Sequence, residues 1–192
     1  MKRYIIMLLG AFTIGIGVVP VISANLGADA LSTLEQALTV TFPISLPVAQ
    51  IIVNASFIIL LLVFAREKVG LDTCLCPLAI AFGSTVALNL LFFIFTGLNP
   101  YILLPLGMVI IGLGIGIGSM SETGSNPYDG FVLYLAERSK ISYSILRSAC
   151  DLLMLVIGIL LKGTFGIGTI IAICLQGVIA NFFVKILKNV RV

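Results

Sequence analysis

The chain has no histidine and no tryptophan among its 192 residues. The first absence excludes histidine acid–base chemistry and any histidine-held transition metal. Charge is scarce as well. Ten per cent of the residues are charged, where a soluble domain carries about 25%. The net charge of +3 is spread along the chain and forms no basic tract, so no nucleic-acid partner is expected. There is no G-x-x-x-x-G-K-[ST] loop, and the glycine alternation of 112–118 lies inside an apolar run and not after a strand. The cysteines, Cys74, Cys76, Cys150 and Cys174, sit in or beside apolar stretches. Cys74-x-Cys76 is not a zinc spacing and no second pair faces it, so they read as small buried hydrophobes. With no convincing nucleophile–base pair either, the chain is not expected to be an enzyme, and no cofactor or metal is expected.

What remains is apolar. Hydrophobic residues make up 60% of the chain and the mean hydropathy is +1.23. A helix needs about 20 apolar residues to cross a bilayer. Six segments qualify: 4–24, 46–65, 74–96, 100–120, 143–161 and 167–187. Two shorter and more polar segments, 28–42 and 126–138, follow the first and fourth of these. Lys2, Arg3 and the run that follows resemble a signal peptide, but Tyr4 to Ile22 is longer than the roughly 7–15 residues of such a core. It is expected to be a retained first span.

The second half repeats the first. A shift of 97 positions carries Leu9, Gly10, Ile14, Gly15, Gly17 and Gly27 onto Leu106, Gly107, Ile111, Gly112, Gly114 and Gly124, and Leu38, Ile44 and Ser45 onto Leu135, Ile141 and Ser142. The repeats divide the single membrane domain at 1–97 and 98–192. Basic residues fall on alternate connections: Lys2 and Arg3, then Arg66 and Lys68, then Arg138 and Lys140, then Lys185, Lys188 and Arg191. The intervening stretches 25–45 and 97–99 have none, and 162–166 has only Lys162. By the positive-inside rule both termini are cytoplasmic. Were 28–42 to cross fully, Arg66 and Lys68 would move outside. The expected fold is therefore an all-α integral membrane protein with six transmembrane helices in a 3+3 inverted repeat, each repeat carrying a short non-spanning helix after its first span. A parallel repeat with four crossings per copy is the competing topology.

Four groups of residues could carry chemistry. In each copy a glycine ends one element and a capping residue follows two positions later, Asp29 after Gly27 and Asn126 after Gly124. Pro127 suits a first helical turn and Asp129 the positive helix end. The two breaks either frame a substrate cavity or are surface turns before interfacial helices. Arg147 and Asp151, four apart, share one face of the fifth span with Ser144, Ser148 and Gly158. Charged residues inside a span usually face the bundle interior or water. The aligned residues of the first copy are Gln50 and Asn54. Arg147 could hold a substrate anion, Asp151 could accept a proton, or the two form a structural ion pair near the cytoplasmic end with Arg147 snorkelling. Gly70-Leu71-Asp72-Thr73 and Gly166-Ile167-Gly168-Thr169 each open a span, and capping explains both. Gly112/Gly116 and Gly114/Gly118 form small-xxx-small pairs that allow either close packing or a flexible gate.

Three of these motifs resemble a known group. Gly124-Ser125-Asn126-Pro127-Tyr128-Asp129-Gly130 after a Gly-Ile-Gly run, Ser144-Ile145-Leu146-Arg147, and Gly166-Ile167-Gly168-Thr169 are similar to the YczE/YyaS/YitT family of bacterial membrane proteins, nearest to its YczE branch. The resemblance covers nearly the whole chain, most strongly 105–180. In the first copy Ala30-Leu31-Ser32 stands where a Pro-aromatic-Asp is expected. The resemblance implies a small protein of the bacterial inner membrane and names no substrate.

The sequence thus leads to a small secondary transporter alternating access between two inverted repeats. Its expected lining is Asn126, Asp129, Arg147 and Asp151 with Asp29, Gln50 and Asn54, and its partners are the lipid bilayer and a small polar or carboxylate-bearing solute. A bundle this small leaves room for a homodimer with glycine faces as its seam. The rival is a non-transporting accessory or regulatory membrane protein that binds a membrane partner.

Overall fold

The computed structural model describes residues 2–121 and 126–190. Gly124, Ser125 and Arg191, used above, lie outside the described residues, as does the side chain of Lys188. The described residues form helices α1 (Lys2–Ser23), α2 (Ala30–Thr41), α3 (Leu46–Phe64), α4 (Leu71–Val86), α5 (Phe92–Thr96), α6 (Pro100–Ser119), α7 (Pro127–Ser139), α8 (Tyr143–Leu160) and α9 (Ile167–Val190). A 3-10 turn, Arg66–Lys68, precedes α4, and a π turn, Ala87–Leu91, joins α4 to α5. The sequence gives no sign of the π turn inside its third apolar run. Helix starts follow local chemistry. Asp29 accepts from Ser32 N–H at 3.3 Å and Asn99 from Tyr101 N–H at 3.0 Å, ahead of α2 and α6, satisfying orphan donors of the first turn. Proline stands in the first turn of α3, α6 and α7, where its missing N–H is not needed.

Six of these helices are long and apolar enough to cross a membrane: α1, α3, α4 with its π turn, α6, α8 and α9. Their outward faces are apolar, with Phe93 90%, Leu160 77% and Leu71 71% exposed. So much exposed apolar surface fits a lipid environment. This is a multi-pass membrane protein.

Element boundaries recur at the 97-residue shift: α2, moved on, covers 127–138, and α3 covers 143–161. Packing recurs too. Helix α1 lies against α4 as α6 lies against α9, and α2 lies against α8 as α7 lies against α3. The two halves join at α1 and α6. Gly10 lies against Gly114 and Gly118, Gly17 against Gly107 and Ile111, and Gly107 against Gly17 and Val21. As one number rises the other falls, so α1 and α6 run antiparallel. Without Cβ atoms the backbones approach closely, which is how helices associate where lipid offers no hydrophobic drive. The other glycine pair of α6, Gly112 and Gly116, receives α9 at Ile179 and Phe183. Gly107, Gly112, Gly114 and Gly116 of α6 are thus met from within the chain. Val18, Val19, Val21, Leu103, Leu104 and Met108 form the main core around this crossing.

Two of the basic connections, at 66–68 and 138–140, share one end of the bundle. Lys68, just after α3, pairs with Glu137 in the last turn of α7 at 2.6 Å. At the other end Thr164 Oγ1 meets Asn25 Oδ1 at 3.0 Å, and Thr41 Oγ1 donates to Leu161 C=O at 2.6 Å.

Candidate functional site

Helices α2 and α7 are too short to cross, and both begin inside the bundle. Ala30, the first residue of α2, and Tyr128, the second of α7, belong to one buried cluster with Val132, Met154 and Leu155. From there the two helices part. Helix α2 ends beside Leu161 and α7 beside Lys68. Helix α3 begins just after α2 and carries the chain 19 residues to the Lys68 end, about 28 Å at helical rise. The two short helices therefore start together in the interior and finish at opposite ends.

On one side of this meeting point is an ionic cluster. Arg147 pairs with Asp129 through its Nη1 and with Asp151 through its Nε at 3.4 Å. Its Nη1 also donates to the Tyr143 hydroxyl at 3.0 Å, and the Tyr143 hydroxyl donates to Asp129 at 3.2 Å. The Tyr128 hydroxyl donates to Asp151. The guanidinium carbon stands 4.7 Å from the centre of the Tyr128 ring, within cation–π range. Tyr143, Arg147 and Asp151 succeed one another at four-residue steps, so α8 presents them on one face. The side chains of Arg147, Asp129 and Asp151 are about one-third exposed, at 38%, 33% and 36%. With both carboxylates ionised the trio carries one net negative charge. Loss of hydration pushes the Asp129 carboxyl up, and the Arg147 charge pulls it back in part. Burial, and then the bond to Asp151, raises Tyr128 well above an ordinary phenol, so it is a permanent donor.

On the other side is a buried polar cluster. Gln50 is fully buried, Asn54 is 1% exposed and Glu35 of α2 is 3% exposed. The Gln50 amide lies beside the Glu35 carboxyl and offsets part of the rise that burial and the Asp29 charge impose, which leaves Glu35 at about 8. Neither amide atom of Gln50 reaches hydrogen-bond geometry, and Asn54 Oδ1 and Asn126 Oδ1 are likewise buried without a partner. The Tyr128 ring lies 5.1 Å from that of Phe57 on α3.

The expected lining residues therefore fall into two sets. Asp129, Arg147 and Asp151 come together as one set, and Gln50, Asn54 and Asn126 lie in the interior near the starts of α2 and α7. Asp29 is spent on capping α2. Three residues absent from the expected lining join these two sets. Tyr143 and Tyr128 complete the ionic cluster, and Glu35 sits at the heart of the polar one. The signal for Glu35 was present, since an acidic residue inside a short helix of a lipid-embedded chain asks for a reason.

The glycine–threonine motifs differ between the copies. Gly70 N–H donates to Thr73 Oγ1 at 3.2 Å, a cap as expected. In the second copy Gly168 N–H donates to Leu26 C=O at 2.8 Å, and a Cβ on Gly166 or Gly168 would strike the 26–27 backbone. Those glycines dock the break before α2, where Gly27 has φ +93°, a value only glycine adopts freely.

Comparison with known proteins places the chain in a family. The model of the family described as "Family of unknown function (DUF6198)" matches residues 1–185. The chain belongs to that family. A DUF6198 assignment agrees with two bacterial relatives. The chain is 25% identical over 194 residues to uncharacterized protein YyaS of Bacillus subtilis (strain 168), covering 97% of this chain and 94% of the relative. It is 22% identical over 200 residues to an uncharacterized protein of Haemophilus influenzae, covering 98% of this chain and 86% of the relative. Membership confirms the resemblance to the YczE/YyaS group. No solved structure matches this DUF6198 chain.

Proposed function

We propose that this DUF6198 protein is a small secondary transporter of the bacterial inner membrane, built as a 3+3 inverted repeat with both termini in the cytoplasm. One observation carries the proposal. Two non-spanning helices begin at a shared interior point, flanked by unpaired buried amides and by an ion-paired cluster, and leave toward opposite ends. Interrupted helices that begin at mid-membrane are how secondary transporters build a site between repeats. Broken backbone at such depth is tolerated only where protein or a cavity satisfies it. Two further features support the reading. The equivalent helices α1 and α6 cross antiparallel, as inversion requires, and the basic connections at 66–68 and 138–140 meet at one end of the bundle.

The solute is small and polar. Arg147 is already matched by Asp129 and Asp151, so a carboxylate-bearing solute enters this site only by displacing one of them. That exchange gives a mechanism for alternation: substrate or proton binding to the trio unlinks α7 from α8 and frees one half to rock against the other.

The test begins with thermal-shift screening of the purified full chain against amino acids, small carboxylates, amines and polyols. Solutes that stabilise it are then offered to proteoliposomes. Uptake is expected with the wild type and lost in Arg147→Ala at unchanged expression. Wild-type uptake by Arg147→Ala removes the residue from the mechanism. Absence of flux for every stabilising solute supports the accessory reading instead. A cysteine at Lys140 labelled only from the periplasm overturns the topology.

A further inference from the structure

The buried cluster beside α2 has a composition that the ionic cluster does not share. Glu35, Gln50, Asn54 and Asn126 offer one carboxyl and three amides, and no basic side chain accompanies them. Asn54 uses its Nδ2 to donate to the Gln50 carbonyl at 2.9 Å. That contact fixes the orientation of its amide and leaves Oδ1 facing inward with no donor. Gln50 Oε1 and Nε2 and Asn126 Oδ1 are also buried and unpaired. Helix register places Asn126 in the same neighbourhood. Phe57 stacks on Tyr128 and Phe131, and Phe64 borders Leu135 and Arg138. Carried back by one turn, that register sets Asn126 level with Asn54.

Buried polar groups in native proteins nearly always have partners. A set of oxygens that all lack a donor, next to a carboxyl, is what a small hard cation needs, since it meets several oxygens at once and balances the carboxylate. An anion would face Glu35 and Asp29 together. Asp29 is engaged in capping α2, so Glu35 is the one carboxylate at this site, among the described residues, left to meet a cation, a match for a single positive charge. We propose that Glu35, Gln50, Asn54 and Asn126 bind a small monovalent cation, either an alkali-metal ion or the ammonium group of a solute, where α2, α3 and α7 meet. This deepens the transporter reading by naming where a coupling ion or a cationic solute head would sit, but the binding itself needs no transport.

Proton competition follows from the surroundings of Glu35. The carboxyl titrates at about 8, so without a cation it holds a proton at neutral pH. Helix α3 has no titratable side chain. Those of α8 are Tyr143, Cys150, Asp151 and Arg147; Arg147 and Asp151 are engaged with α7, and none of the four acts on Glu35. Those of α1 are Lys2, Arg3 and Tyr4, at the far end of that helix. Asp29 is the charge that does act on it. A cation must displace the Glu35 proton, so its affinity falls about tenfold for each pH unit below that value.

The test uses the full chain in nanodiscs in choline buffer. Sodium, lithium, potassium or methylammonium chloride is added at constant ionic strength, and thermal unfolding is followed from pH 6 to pH 9. At least one of these cations is expected to raise the midpoint, more at pH 9 than at pH 6, and Glu35→Gln is expected to abolish the shift. A response to the inorganic ions alone marks a coupling-ion site, and a response to methylammonium marks a solute headgroup. In weakly buffered wild-type samples cation addition should also release a proton, which a pH dye reads without any variant. No shift from any of the four cations, or an undiminished shift in Glu35→Gln, overturns the site. Binding without flux in proteoliposomes leaves the site standing and removes the transporter reading; flux without cation binding does the reverse.

Discussion

Two glycines of one motif should respond oppositely to the same substitution. Gly114 and Gly118 sit four apart on α6. A Cβ on Gly114 would lie 2.7 Å from Gly10 C=O, from Ile14 Cγ1 and from Ile14 N. Two of those neighbours are backbone atoms of a helix held along its whole length, so they cannot swing aside. A Cβ on Gly118 meets nothing within 4 Å among the described residues, although the backbone of Gly118 itself touches Gly10. Gly114→Ala must therefore push α1 away from α6, an overpacking penalty of about 1–3 kcal/mol. Gly118→Ala adds a methyl in open space and gains helix propensity, worth up to about 1 kcal/mol in soluble hosts. Equilibrium unfolding in mixed micelles, monitored by far-UV circular dichroism, measures both. The propensity gain is common to both variants, so the expected spread between them is the overpacking penalty, about 1–3 kcal/mol, with Gly114→Ala below the wild type and Gly118→Ala at or above it. Equal effects would refute the close-packed seam and favour the flexible-gate reading of these glycines, because a gate is stiffened by alanine at either position.

Tyr128→Phe keeps the ring against Phe57 but leaves Asp151 without its phenolic donor; it should cost about 1.5 kcal/mol, read by the same unfolding assay, while Tyr134→Phe serves as the unaffected control. The Glu35 carboxyl titrates at about 8 in the folded chain against 4.5 ordinarily, so between those values the folded state holds a proton that the unfolded state lacks. Stability in choline buffer should then fall as pH rises through that window, by at most about 1.4 kcal/mol per unit, and level off above it. Glu35→Gln should flatten the slope and exceed the wild type in stability at pH 9; a wild-type profile that does not fall between pH 5 and pH 8 contradicts the buried, protonated carboxyl.

The fold was legible to the extent that lipid makes sequence simple. A span needs a long apolar run and a basic flank, so the six crossings and both short helices could be placed within a few residues. The break points were legible because Asp29 caps α2 and Pro127 suits a first helical turn; Asn126 holds the N-cap position of α7, but its side chain makes no cap bond. The π turn at 87–91 was not, since Ala87-Leu88-Asn89-Leu90-Leu91 is as good an α-helix as its neighbours and only packing against α1 and α5 selects the wider turn. The role of Gly166 and Gly168 was also hidden. Capping is a local rule and suits the motif, but the contact that requires those glycines comes from Leu26, some 140 residues away in the chain.

The site divides along the same line. Arg147 and Asp151 declared themselves, because a four-residue spacing of opposite charges on an apolar helix has few readings. Their partner Asp129 was found for a different reason, its place at a helix start. Glu35 is hard to single out from sequence, because a lone acid on a short, mixed helix reads as its wet face. Burial inverts that face: α2 turns Ser32, Thr33, Glu35 and Gln36 inward and leaves Val40 56% exposed. In lipid the polar side of a short helix is the interior side, so the rule used for soluble helices has to be read backwards. The two short helices carry different chemistry: α2 brings Glu35 to the buried Gln50 amide of α3, while α7 buries Pro127, Tyr128, Gly130 and Val132 and brings Asp129 to Arg147 of α8. Inverted repeats with identical linings would offer one solute two equal sites. In the proposed transporter, unequal linings divide the work, with a proton or cation on the Glu35 side and the Asp129–Arg147–Asp151 latch on the other.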